Sequence, residues 1–249
     1  MTEIVPLPAA GYAFLKGQGH PFSGGVACLP GYQLTRMRFR APLPLAEGLA
    51  RAASLIASQG RPLAALAACE LRSPAQMSLS DFATFNRHYV DLLRAHGFPA
   101  EAPFPMARSN VAPIHNPPST NTLHAFTYAT AATEAGTSTR SDFLISGRAE
   151  LIDGSREVVA EGDASAAGTE KKATYVFEQL RTRVEALGCA WTDITGIQFY
   201  TGRAVEPALS LMTRLGLANV GVTLHTAHPP VAPFEFEADL RSVSVERAI

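Results

Sequence analysis

The feature that most constrains this chain is an internal repeat. At a constant offset of 128 residues, Leu49 matches Phe177, Ile56 matches Val184 and Gly60 matches Gly188. The same offset aligns Leu63 with Trp191, Leu66 with Ile194, Cys69 with Ile197 and Leu71 with Phe199. In a chain that is 47% hydrophobic, isolated apolar matches arise easily. A helix, its glycine stop, a short loop and an apolar strand returning in one order do not. Self-similarity at a fixed period marks one structural unit written twice.

Local patterning fills in each copy. Residues 1–31 are rich in glycine and proline and read as an irregular lead-in. The first repeat, 32–129, starts with an alternating strand over 33–39, with Arg36, Arg38 and Arg40 on one side. A helix over 45–59 follows, with Leu49, Ala52, Ala53 and Ile56 on one face and Gly60 as its stop. A strand over 64–71 comes next. A second helix, capped by Ser80, then carries Phe82, Phe85, Tyr89, Leu92 and Leu93. Residues 122–130 close the repeat as a strand. A small, polar stretch over 130–141 suits a linker. The second repeat, 142–249, returns the same order. A strand pair (142–150 and 158–161) turns at Asp153-Gly154, and a helix spans 170–187 before Gly188. After it come a strand over 194–200, a short helix opened by Glu206-Pro207, and strands over 220–226 and 234–240. The fold class is therefore α+β.

Composition narrows the function. The net charge is −1 with no basic stripe, which argues against a nucleic-acid partner. No apolar run approaches the roughly 18–20 residues of a membrane helix, and no secretory leader opens the chain. Three cysteines without metal-like spacing, Cys28, Cys69 and Cys189, read as reduced thiols in a cytoplasmic protein. His225 and His228 lack a third ligand, and two prolines follow them, so no metal is expected. There is no Gly-x-Ser-x-Gly elbow, P-loop or His-Glu-x-x-His, and Gly17-Gln-Gly19 follows no strand. No cofactor is implied.

Several stretches, taken together, resemble the Rid/YjgF family of imine and enamine deaminases. Phe143-Leu-Ile-Ser-Gly147 is similar to its first core strand, and Phe234-Glu-Phe-Glu-Ala238 to its closing strand with paired glutamates. The run from Glu178 through Leu187-Gly188 to Trp191 and Ile194 resembles its long helix, glycine stop and next strand. In the first repeat, Ser80 to Tyr89 resembles its second helix with Asn-x-x-Tyr, and Pro105-Met-Ala-Arg-Ser-Asn-Val111 its carboxylate-holding stretch. The resemblance covers about 32–128 and 142–246. It implies two tandem chorismate-mutase-like repeats, each a mixed sheet with two helices on one face. It also implies trimeric assembly, with ligand clefts between neighbouring sheets. The two copies depart from the pattern differently. Val220 stands where the second repeat needs its arginine, Arg38-Phe39 replaces Ser-Gly in the first, and His124 falls at the first repeat's glutamate position. Neither repeat holds a whole site, so a cleft with one wall from each is expected.

For that cleft, Arg108 is the expected clamp, because a guanidinium fixes a carboxylate with two parallel hydrogen bonds. Asn86 would orient a polar substrate group. Ser146 and Gly147 would bring backbone close to the reacting end. Glu235 is the expected handler of protons and water, with Glu237 on the same strand face leaving open which one points inward. Among the strand arginines, Arg38 is the most suited to reach a site. The activity implied is hydrolytic deamination of a small carboxylate-bearing enamine or imine, 2-aminomuconate-like or 2-aminoacrylate-like, with release of ammonia. A chorismatase-like lyase and a non-catalytic metabolite-binding protein are the alternatives. The partners expected are a small carboxylate metabolite and further copies of the chain.

Overall fold

The computed structural model describes residues 3–17, 21–132 and 141–249. Three short strands come first: β1 (Ile4–Leu7), β2 (Tyr12–Leu15) and β3 (Gly25–Cys28). The first repeat runs β4 (Tyr32–Pro44), α1 (Leu45–Ser58), β5 (Leu66–Arg72), α2 (Leu79–Ala95), β6 (Ala107–Pro113) and β7 (Thr122–Ala131). The second opens with β8 (Phe143–Ala149), α3 (Ala166–Ala186), β9 (Gly196–Thr201), α4 (Glu206–Arg214) and β10 (Gly221–His225). After it come the two-residue β11 (Ala227–His228), β12 (Phe236–Ser242) and β13 (Val245–Ala248).

The expected duplication and α+β class are both present. One sheet is ordered β11-β6-β5-β7-β4-β13 and the other β1-β2-β3-β8-β12-β9-β10. Stripped of their flanking strands, β6-β5-β7-β4 and β10-β9-β12-β8 are the same arrangement. Each sheet is mixed, because β5 pairs parallel to β6, and β9 to β10, while the other core pairings are antiparallel. The helices lie on one face of each sheet. Leu49, Ala52 and Ile56 of α1 pack with Phe85, Tyr89 and Leu93 of α2 against one sheet. Val176, Phe177, Leu180 and Val184 of α3, with Leu211 and Met212 of α4, pack against the other. Burying each such large side chain contributes about 1.5–3 kcal/mol. Gly60 and Gly188 end α1 and α3 at φ +66° and +71°, a left-handed turn that other residues adopt only with strain.

The inner faces meet across a seam that is apolar in one part and polar in another. Phe14, Val26, Leu34, Ala68, Ala107 and Leu144 form the apolar part. In the polar part, Arg36 donates to both Glu70 oxygens, at 2.6 and 2.8 Å. Gln198 Nε2 donates to Glu70 at 3.2 Å and to Asp239 at 3.1 Å. Glu70 and Gln198 are 128 residues apart. Equivalent residues of two copies touch only near the axis relating them, so this hydrogen bond marks the pseudo-two-fold.

Several local expectations are corrected. The lead-in is not irregular, since β1–β3 extend the second repeat's sheet through β3 pairing with β8. Glycine and proline content reports local freedom, whereas strand pairing over more than a hundred residues is decided elsewhere. Residues 158–161 form no strand; a single bridge joins Leu151 to Val158. The cap of α2 is Ser78, which accepts from the Asp81 amide at 3.1 Å, not Ser80. Most of the expected linker, 133–140, lies outside the described residues.

Candidate functional site

A cavity of about 240 Å³ opens between the two sheets, with walls from both repeats and from the chain preceding β4. Arg108 enters it from β6 and Asn86 from α2, while β8 supplies Ser146 and Gly147. Four of the six expected site residues are thus brought together across the repeat boundary.

Arg108 is held by an aromatic box. Its guanidinium carbon lies 4.0 Å from the Phe22 ring centre, with Tyr89, Phe82 and Phe85 at 5.3, 5.4 and 5.9 Å. The rings of α2 recur at helical spacing, so the stripe that builds the core also faces the cation. Each such contact contributes roughly 0.5–2 kcal/mol. Asn86 Oδ1 accepts from Arg108 Nη1 at 2.8 Å, fixing the plane of the fork. Asn86 therefore orients the arginine. Burial pulls the guanidinium down to about 10, so it stays cationic at neutral pH.

Ser146 is engaged by the protein itself. Its hydroxyl donates to the Ser23 carbonyl at 2.6 Å and accepts from the Arg108 amide at 3.1 Å, while its own amide bonds the Gly24 carbonyl. It stitches β8 to β6 and to the lead-in, and its amide is not free for a ligand. Gly147 has a different duty: a Cβ there would sit on the Glu237 carboxyl, with Ser109 Oγ 3.3 Å away. Only glycine lets that carboxyl occupy its place.

Two expected residues do not reach the cavity. Arg38 is exposed on β4 and absent from the cavity wall; β4 aims the buried Arg36 at Glu70 instead. Glu235 is bound by Lys172 and Arg203, and these cations hold its carboxyl below the usual carboxylate range. A carboxylate locked in two ion pairs is a poor proton shuttle. Two residues on, Glu237 is 4% exposed and lines the cavity. Burial, together with Asp239 and Glu150, raises it well above the usual range, with Arg108 and Arg72 opposing. Alternation along β12 puts Glu237 and Asp239 on one face. Asp239, itself raised by burial, is taken up by Ser109 (2.5 Å), Tyr200 (2.7 Å) and Gln198, so Glu237 is the carboxyl of raised proton affinity that faces the cavity.

Asn110, Phe22 and Arg183 also line the cavity and were not singled out from sequence. Asn110 follows Arg108 by two on β6, a spacing that signals a shared face; its Oδ1 accepts from Ser73, while its buried Nδ2 lacks an acceptor. The missing arginine of the second repeat is also placed differently. Arg108 pairs with Cys69, and Val222 pairs with Ile197, the residue equivalent to Cys69. Val222, not Val220, stands at the position of Arg108. His124 and His225 meet edge to face at 6.0 Å, and burial draws them down to about 3 and 4, so both are neutral packing residues.

The sequence profile of the 2-aminomuconate deaminase CnbZ family matches residues 4–247. A 2-amino-5-chloromuconate deaminase from Comamonas testosteroni is 33% identical over 257 residues, spanning all of both chains. Among solved structures, a chorismatase covers 94% of this chain and 77% of its own, at TM-score 0.49 and 14% identity. The YjgF gene product of E. coli covers 41% and 80%, at 0.34 and 16%.

Proposed function

We propose that this chain, which belongs to the 2-aminomuconate deaminase CnbZ family, hydrolytically removes ammonia from a 2-aminomuconate-like enamine. The observation carrying this reading is the pairing, in one cavity, of a boxed guanidinium with a proton-bearing carboxyl. Arg108 holds the carboxylate beside the amino-bearing carbon and fixes its plane. The Glu237 carboxyl delivers its proton to the enamine carbon, giving an iminium. The resulting Glu237 carboxylate then takes a proton from water as the water oxygen attacks the iminium carbon. Collapse of the carbinolamine breaks the C–N bond, releases ammonia and leaves a 2-oxo acid. Asn110, with its free amide hydrogens, faces the cavity as a donor for that water or the departing nitrogen.

The family relationship sharpens the substrate to a muconate skeleton over 2-aminoacrylate. Assembly as a trimer, a cytoplasmic setting and a role in aromatic degradation belong to the same proposal; among the described residues, no helix is long and apolar enough to cross a membrane. The test is ammonia release from freshly generated 2-aminomuconate, with chorismate alongside. Turnover is expected to fall about 10²–10³-fold in Arg108→Ala, the loss of a charge-assisted double hydrogen bond. Unchanged rates in that variant remove Arg108 from the mechanism, and pyruvate from chorismate turns the assignment to a lyase.

A further inference from the structure

A second arginine opens on the same cavity, and the mechanism above leaves it idle. Arg183 lies in the last turn of α3 and lines the cavity from the second repeat's helical layer. Its stem runs past Gly24, where a Cβ would come within 3.8 Å of Arg183 Cδ. Gly24 also anchors Ser146, so the stem passes beside the residue that ties β8 to β6. Arg183 and Arg108 thus approach from different walls, one on each repeat.

The guanidinium of Arg183 makes no hydrogen bond or ion pair among the described residues. Asp153, the acid beside it, is already held by Arg148 at 2.8 Å. Arg148 itself, a further cavity-lining cation, is anchored by Tyr175 and the Leu151 carbonyl. Burial, reinforced by the Arg148 charge and opposed by Asp153, draws the half-buried Arg183 down to about 10, so it faces the cavity cationic and only partly compensated. A partly desolvated cation that shares its one neighbouring acid with another arginine is costly, and an anion brought by a ligand removes that cost. Two such cations in one small cavity match a ligand with two negative charges, not one.

We infer that Arg183 is the specificity residue for a second carboxylate, which makes this cavity selective for linear dicarboxylates. This rests on the muconate reading above, and adds that each repeat contributes one carboxylate anchor. A monocarboxylate would satisfy Arg108 and leave Arg183 facing an apolar chain end.

The experiment is a binding comparison that needs no turnover. Muconate and sorbate share one six-carbon dienoate skeleton and differ only in a terminal carboxylate against a methyl group. Calorimetry on the wild-type chain is expected to give at least about tenfold tighter binding of muconate, the equivalent of one charged hydrogen bond. Arg183→Gln should bring the two affinities within about threefold by weakening muconate alone, and Arg183→Lys should restore part of the difference. Arg108→Ala should weaken both. Equal wild-type affinities, no binding of either, or an Arg183→Gln variant that keeps the preference would overturn the proposal. Equal weakening of both ligands in Arg183→Gln would overturn it too, because it would reduce the residue to a cap on α3. If 2-aminomuconate yields no ammonia while the binding preference holds, the deaminase reading fails and the dicarboxylate site stands.

Discussion

The strands β6 and β10 occupy equivalent places in the two repeats, yet only β6 carries a boxed arginine, the group proposed above as the carboxylate anchor. β6 is covered along most of its length, its Arg108 amide tied to Ser146, with α2 rings packed over the guanidinium. β10 lies at a sheet edge and is exposed over four of its five residues, with Val222 where Arg108 would be. A guanidinium on β10, an edge strand with only β9 beside it, would have no aromatic box, because α4 carries no aromatic residue, and no counterpart of Asn86 to hold its plane. A charged residue becomes a binding group only where its surroundings fix it, and here one copy supplies those surroundings while the other supplies the opposite wall. The same lesson holds two residues apart on one strand, where Glu235 is neutralised by salt bridges and Glu237 is freed by burial.

The contrast between the two glutamates is the sharpest to test. Glu237→Gln removes the mobile proton and should lower kcat by about 10²–10⁴-fold, while Glu235→Gln should stay within roughly tenfold of wild type. Equal losses in steady-state rates would erase the distinction. Next is the seam that fixes the two sheets. Glu70→Ala strips the buried Arg36 of its two-pronged partner, leaving only half-exposed Glu246 at 3.1 Å, and should cost about 3 kcal/mol in denaturant unfolding, whereas exposed Val222→Ser should cost under about 0.5. A smaller effect follows Gly147→Ala, where the added methyl displaces the Glu237 carboxyl. Activity should fall about tenfold or more with stability reduced by about 1–3 kcal/mol. The smallest is a pH effect on melting. The folded state holds Glu237 protonated to higher pH than the unfolded chain does. Below the ordinary carboxylate range both forms keep the proton and Glu237→Gln should change little. As pH rises through that range the unfolded chain ionises first, so wild type loses stability that the variant retains, and the Tm advantage of Glu237→Gln should widen toward neutral pH. A gap that narrows with rising pH would reverse the sign of this argument.

Much of the fold was legible because it is periodic. Leu49 with Phe177, and Gly60 with Gly188, declare the duplication through local spacing, and both glycines fall at left-handed helix ends. The site was legible only where chemistry and local pattern coincide, at Arg108 with Asn86 and at Ser146-Gly147. It failed where position depends on pairing over long distances. Glu235 and Glu237 share a face by alternation, so what separates them is their surroundings: Glu235, just before β12, meets Lys172 and Arg203 from distant parts of the chain, while Glu237 within β12 is buried against Gly147. Arg36 and Arg38 share a side of β4, but only Arg36 meets the Glu70 that crosses from β5. Phe22 and Arg183 gave no sequence signal, because each reads locally as a loop aromatic or an ordinary helix cation.

The two chain ends are stitched into opposite sheets, with a consequence for how the molecule is made. β3 has β2 on one side from the start, but its second partner arrives only when Leu144 follows Val26 out of the ribosome, and the outer edge of β4 is not covered until Glu246 pairs beside Arg36. Nascent chains therefore carry unsatisfied strand borders for nearly the whole of synthesis, and the final folding step closes loops of more than a hundred residues at both ends. The order of the strands thus places the longest-range pairings at the margins of the two sheets.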